Sequence, residues 1–183
     1  MAIATGRNTF LQRLIGAAAL DTAIYEEVEG DTSATAQAFL VVLLSSLAAG
    51  IGARGSGETS VATITFISTV ALLAWAAWAL MIYEIGGRLM PEAQTVVDVG
   101  ELLRTLGFAS TPGLLRVFGI IPGAAAPALV ITALWMLVAT IVAVRQALDY
   151  TSTLRAVVVC VLGWTLAITI AVVLGLFFGP ALS

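Results

Sequence analysis

The chain has 183 residues, of which 60% are hydrophobic and only 10% charged, with a mean hydropathy of +1.06. Soluble domains carry about 25% charged residues, and one of this length could not hide so much apolar surface from water, whereas a bilayer could. All eight basic residues are Arg, His and Lys are absent and Cys160 is the single cysteine. These absences exclude an imidazole base, a His-ligated metal, a Schiff-base lysine, an intrachain disulfide and a thiolate metal cage. No cofactor, metal or nucleic-acid partner is expected.

In chain order, residues 1–33 lack the continuous apolar core and cleavage site of a signal peptide. They form a cytoplasmic N-terminal segment, and 7–31 reads as a helix with Leu11, Leu14, Ala18, Tyr25 and Val28 near one face. That face could lie on the membrane surface, but Asp21, Glu26, Glu27, Glu29 and Asp31 include no base among them, and an anionic leaflet repels such a run. The acids read either as a solvated linker or as a docking site for a basic partner.

Residues 34–183 form the membrane domain, with helices expected near 34–53, 60–85, 101–121, 124–144 and 154–178. Four of these lie in charge-free runs long enough for the roughly 20 residues a crossing needs. The third, "LLRTLGFASTPGLLRVFGII" (102–121), holds Arg104, Gly107, Pro112 and Arg116. Pro112 removes a helical hydrogen bond and clashes one turn earlier, so two half-helices are expected whether the segment crosses or re-enters. Five crossings put Arg7, Arg13, Arg88, Arg104, Arg145 and Arg155 inside and Arg54 and Arg116 outside, a better positive-inside distribution than re-entry allows. The expected fold is therefore all-α: a five-helix polytopic bundle, its third helix broken near Pro112, with a short amphipathic N-terminal helix.

In the last helix a small residue recurs every four positions: Gly163, Ala167, Ala171, Gly175 and Gly179. Small residues let membrane helices approach closely. The row suits either another helix of the chain, such as the first crossing with Ser46 and Gly50, or a second protein. At the membrane edge Glu84/Arg88, Glu101/Arg104 and Arg145/Asp149 have the spacing of helical pairs. They read as anchors of the helix ends, or as a polar cluster that receives a partner.

Three stretches then carry a resemblance: "ELLRTLGFASTPGLLRVFGIIPG" (101–123), "ALWMLVATIVAVRQALDYTSTLRAVVVCVLGW" (133–164) and the Tyr-Glu-Glu-Val segment that begins at Tyr25. In order and spacing the chain resembles bacterial members of the Yip1 family. The matching features are Arg104, Gly107, Phe108 and Pro112 in the first stretch, and Arg145, Thr151-Ser152-Thr153 and Arg155-Ala156 in the second. The resemblance implies five membrane helices and a cytoplasmic N-terminus. Eukaryotic members are associated with Golgi and endoplasmic-reticulum membranes and Rab GTPases. A bacterial chain implies no such system, and the family supplies a fold without a settled activity.

The expected role is non-catalytic. The chain organises membrane partners, another protein or a second copy, through helix contacts and an acidic cytoplasmic face. It does so in a bacterial inner membrane with the C-terminus outside. The alternative is a small-solute transporter or channel built on the broken third segment.

Overall fold

Seven α-helices, one π-helix and one 3-10 helix make up the computed structural model, which describes residues 8–53 and 60–178. Of the described residues 82% are helical, and no strand occurs among them. Helix α1 (Phe10–Ala18) opens with a capping box: Thr9 Oγ1 accepts from Gln12 N–H and the Gln12 side chain accepts from Thr9 N–H. α2 (Thr22–Gly30) is capped by Asp21. The single helix expected over 7–31 is thus two helices. Leu20 takes a left-handed conformation between them (φ 62°), and the Asp21 cap restarts the helix in a new direction.

Four helices are long and apolar enough to cross a membrane: Ala34–Ala53 (α3), Val61–Leu89, Ala125–Ala147 (α6) and the Thr153–Ile170 part of α7 (Thr153–Phe178). The second comprises α4 (Val61–Ile82) and a continuing π-helix, Tyr83–Leu89. It therefore runs past residue 85, and α6 runs past 144. On α4, Thr65 and Thr69 give their hydroxyl hydrogens to the carbonyls of residues 61 and 65. Thr165 and Thr169 do the same on α7, to residues 161 and 165. Such bonds let hydroxyls face lipid without going unpaired.

Between Leu89 and α6 lie α5 (Val99–Phe108) and a ten-residue 3-10 helix, Thr111–Ile120. Pro112 stands in the first turn of the 3-10 helix, where it has no helical bond to break. Most 3-10 runs stop after three or four residues, and the packing explains this longer one. A Cβ on Gly107 would lie 2.6 Å from the Ala38 Cβ; one on Gly113 would strike the Ser45 side chain; one on Gly52 would strike the Arg116 carbonyl, while Gly119 sits against the Gly52 backbone. Contacts therefore advance by seven residues on α3 (Ala38, Ser45, Gly52) and by six on its neighbour (Gly107, Gly113, Gly119). From Gly113 to Gly119 the six residues are two turns of the 3-10 helix at about 3.0 per turn, Gly107 belonging to α5, and seven residues on α3 are nearly two turns of an α-helix. The two rows stay in register along the whole contact, and the chains run in the same direction. Of all element pairs, α3 and the 3-10 helix make the most extensive contact.

The ends of these elements define two poles. The near pole carries α1 and α2, the start of α3, the loops 90–98 and 148–152, and the ends of α4, α6 and α7 that adjoin them. The far pole carries the ends of α3 and the 3-10 helix and the start of α6. α1 turns Leu11 (64% exposed) and Ile15 (62%) outward while burying Arg13 (2%). An apolar outside over a charged inside is the reverse of the pattern in water, and it suits a helix whose outer face meets lipid.

Gly52→Ala should force the 3-10 helix off α3. The expected cost, about 1–3 kcal/mol of overpacking, should appear as a lower melting temperature in detergent, whereas Gly30→Ala, which meets nothing within 4 Å, should not lower it through contact. Equal melting of the two variants would refute the tight-packing account.

Candidate functional site

The near pole is knitted by charges that the sequence pattern did not pair. The buried Arg13 donates to Glu27 Oε1 (2.8 Å), Asp31 Oδ2 (2.7 Å) and Gln37 Oε1 (3.0 Å), joining α1, α2 and α3. Asn8 adds a side-chain bond to Glu27. Arg104, buried on α5, donates to the terminal carbonyls of α2 at Val28 and Glu29. It thus caps that helix and complements its dipole. Asp31 is 6% exposed, so it is an internal strut and out of reach of a soluble partner. Glu26 stays exposed, accepting from Gln146 on α6 (2.8 Å).

Only one of the three expected edge pairs forms. Arg88 meets Glu84 at 2.9 Å and lies over the Tyr83 ring. Glu101 instead completes a capping box with Asp98 at the start of α5, which leaves Arg104 for α2. Arg145 donates to the carbonyls of Tyr150 and Thr151 rather than to Asp149, whose left-handed backbone (φ 52°) turns the chain there. Glu92, unremarked in the sequence, ties the two loops together. It accepts from Thr151 N–H and Oγ1 (3.0 Å each) and faces Arg155 at 3.6 Å. Tyr150 donates across the same seam to the carbonyls of Gly86 and Met90. No local periodicity reports partners some 60 residues apart.

Two carboxyls at this pole titrate in opposite senses. Burial alone would raise Glu27, but hydrogen bonds from Asn8 and Arg13 outweigh it and hold the carboxyl below its usual range. Glu29 is pushed up to about 7, first by burial and then by the charges of Asp149, Glu101 and Glu26, with Arg104 pulling the other way.

The row on the last helix packs inward at its first member. Gly163 accommodates Trp78 of α4, the indole 2.9 Å from where a Cβ would stand, and Trp78 stacks on Trp164 (6.0 Å, 14°). At Gly163 the neighbour is α4 rather than the first crossing; Gly50 of α3 meets Ile64, while Ser46, bonded to its own helix at Leu43, shares with Ala167 the lining of one chamber. The chamber opens to the outside of the bundle, Ala171 and Gly175 continue α7, and Gly179 lies outside the described residues.

That chamber, about 620 Å³, lies among α3, α4, α6, α7 and the third segment, lined by Ser45, Ser46, Trp75, Trp78, Ser110, Met136, Thr140 and Arg116 among others. A second cavity of about 370 Å³ lies toward the far pole between Gly52, Gly119 and the start of α6, and Arg116 borders it too. Arg116 Nε donates to Thr132 Oγ1 (3.2 Å), and no carboxylate among the described residues pairs with it. Every other arginine among the described residues belongs to the near pole.

An apolar bundle with most of its charges gathered at one pole is a multi-pass membrane protein in a lipid bilayer. The Yip1 domain model matches residues 22–175, from the first residue of α2 almost to the end of α7, and the chain belongs to that family. This is not a known enzyme family. No curated protein matches the chain. No solved structure matches it either.

The pH behaviour follows from Glu29. Its folded pKa exceeds the unfolded value of about 4.3, so its contribution to stability is complete below that value and is lost as pH rises through about 7. Glu29→Gln should raise the melting temperature at pH 8, by about 2–4 °C for each kcal/mol of charge penalty relieved, and leave it unchanged at pH 4. A shift of the same size at both pH values would contradict this.

Proposed function

We propose that the chain is a non-catalytic membrane protein of five crossings, set in a bacterial inner membrane with its N-terminus cytoplasmic and C-terminus outside, and that it organises partner proteins there. What supports this reading is a set of exposed carboxylates whose places at the near pole are fixed by hydrogen bonds. The network centred on Arg13, Arg104 and Glu92 holds α1, α2 and both loops together, and it leaves Glu26, Glu84, Asp98 and Asp149 exposed around it. Their spacing is set by the fold, as recognition of a basic partner surface requires. The helices add a second surface: only 11% of the α4 window is buried inside the chain.

Five crossings are supported by length and direction. α5 and the 3-10 helix together rise about 35 Å beside α3 and parallel to it, enough for a hydrocarbon core of about 30 Å. Interruption by Pro112 and Arg116 keeps this segment out of the set recognised by apolar length alone. The small-solute reading stays second, favoured by the two cavities that meet at Arg116.

Topology is read by single-cysteine labelling in a Cys160→Ser background. Cysteines at Ala93 and Ser152 should label from the cytoplasmic side and one at Gly123 from the opposite side. Labelling of Gly123 from the cytoplasmic side would convert the third segment to a re-entrant loop. For the carboxylate set, a photo-crosslinker at Ala93 should give a discrete protein adduct in native membranes, and Glu26→Arg with Asp149→Arg should reduce it at least about tenfold. Adducts that are absent, or indifferent to charge reversal, would overturn the organising role.

A further inference from the structure

We infer that the chamber is a binding site for an anionic amphiphile, an acidic headgroup carried on an acyl chain, with Arg116 as the counter-charge. The inference does not rest on the reading above.

The first observation is a charge at membrane depth with no carboxylate partner among the described residues. Thr132, which Arg116 contacts, lies seven residues into α6, about 10 Å along its axis. A cation held at such a depth is costly unless it is paired. Arg116 donates through Nε alone to a neutral hydroxyl, so its terminal N–H groups remain for the cavities it borders. Guanidinium matches carboxylate and phosphate oxygens in a planar, two-pronged contact.

The Trp75 ring lines the same wall, its indole N–H turned into the protein and closed to the chamber, so Arg116 is the one charged donor among the described residues that borders it.

The rest of the lining selects a tail. Alanines, methionines and the body of Trp78 dominate it, and its volume lies within the roughly 300–1,000 Å³ of ordinary ligand sites. A small hydrophilic anion would satisfy Arg116 and leave that apolar wall without a complement. A neutral chain would fill the wall and leave the charge unpaired. An anionic amphiphile does both.

The test is native mass spectrometry of the full chain released from dodecyl maltoside with equimolar dioleoylphosphatidylglycerol and dioleoylphosphatidylcholine. The anionic lipid should be retained about tenfold over the zwitterionic one, and Arg116→Gln should bring the ratio close to one. Arg145→Gln, which removes a near-pole cation, should leave the preference intact. Ala74→Phe keeps the charge and narrows the chamber, so it should also lose the lipid and covers the case in which Arg116→Gln does not fold. Glycerol 3-phosphate, the headgroup without a tail, should not compete. Equal retention of the two lipids, survival of the preference in Arg116→Gln and Ala74→Phe, its loss in Arg145→Gln, or competition by glycerol 3-phosphate would each overturn the proposal.

Discussion

Close backbone approach between α3 and the segment beside it holds the rest of the architecture in place. In lipid, apolar surface gains nothing by leaving its surroundings, so helices associate through packing and hydrogen bonds. Ala38 on Gly107, Ser45 on Gly113 and Gly52 on Gly119 bring the two backbones together at three levels. Gly107 stands near the end of α5, and Gly113 and Gly119, two 3-10 turns apart, fall on one face; over that second interval an α-helix would rotate the glycine away from the contact. This one contact thereby sets the conformation of Thr111–Ile120, the seat of Pro112 and the depth of Arg116.

Charge is arranged around that spine with the same economy. The buried near-pole arginines each bind oxygens from another element: carboxylates for Arg13, helix-terminal carbonyls for Arg104. A buried charge is tolerated only with such partners, and here the partners are what attach α1 and α2 to the bundle. Arg116 is the exception, since the side chain that meets it is a threonine. That contrast separates structural arginines from the one that faces the cavities.

Much of the frame was legible from composition and spacing. Charge-free runs located four long helices, because the bilayer sets a minimum apolar length regardless of what the helices touch. The order of Arg104, Gly107, Phe108 and Pro112 carried the family resemblance, which the match over residues 22–175 bears out. Local pattern failed wherever a partner lay far along the chain. Glu101 and Arg104 have the spacing of a helical pair, yet Asp98 and the end of α2 take them in different directions. The small-residue row of α7 pointed to a close neighbour without identifying it, since a glycine at position 163 fits an indole on α4 as well as a backbone on α3.

The sequence by itself determined the solvent and the elements: a chain this apolar belongs in lipid, and its caps, prolines and charge-free runs bound its helices. Tertiary structure alone decided which side chains are partners. It turned Glu27 and Asp31 from a free acidic run into ligands of Arg13, gave Gly163 to Trp78, and left Arg116 facing two cavities. The physical reason is reach. Propensity and hydropathy are sums over neighbours in the chain, whereas the energy of a buried charge or a backbone contact depends on atoms brought together from anywhere along it.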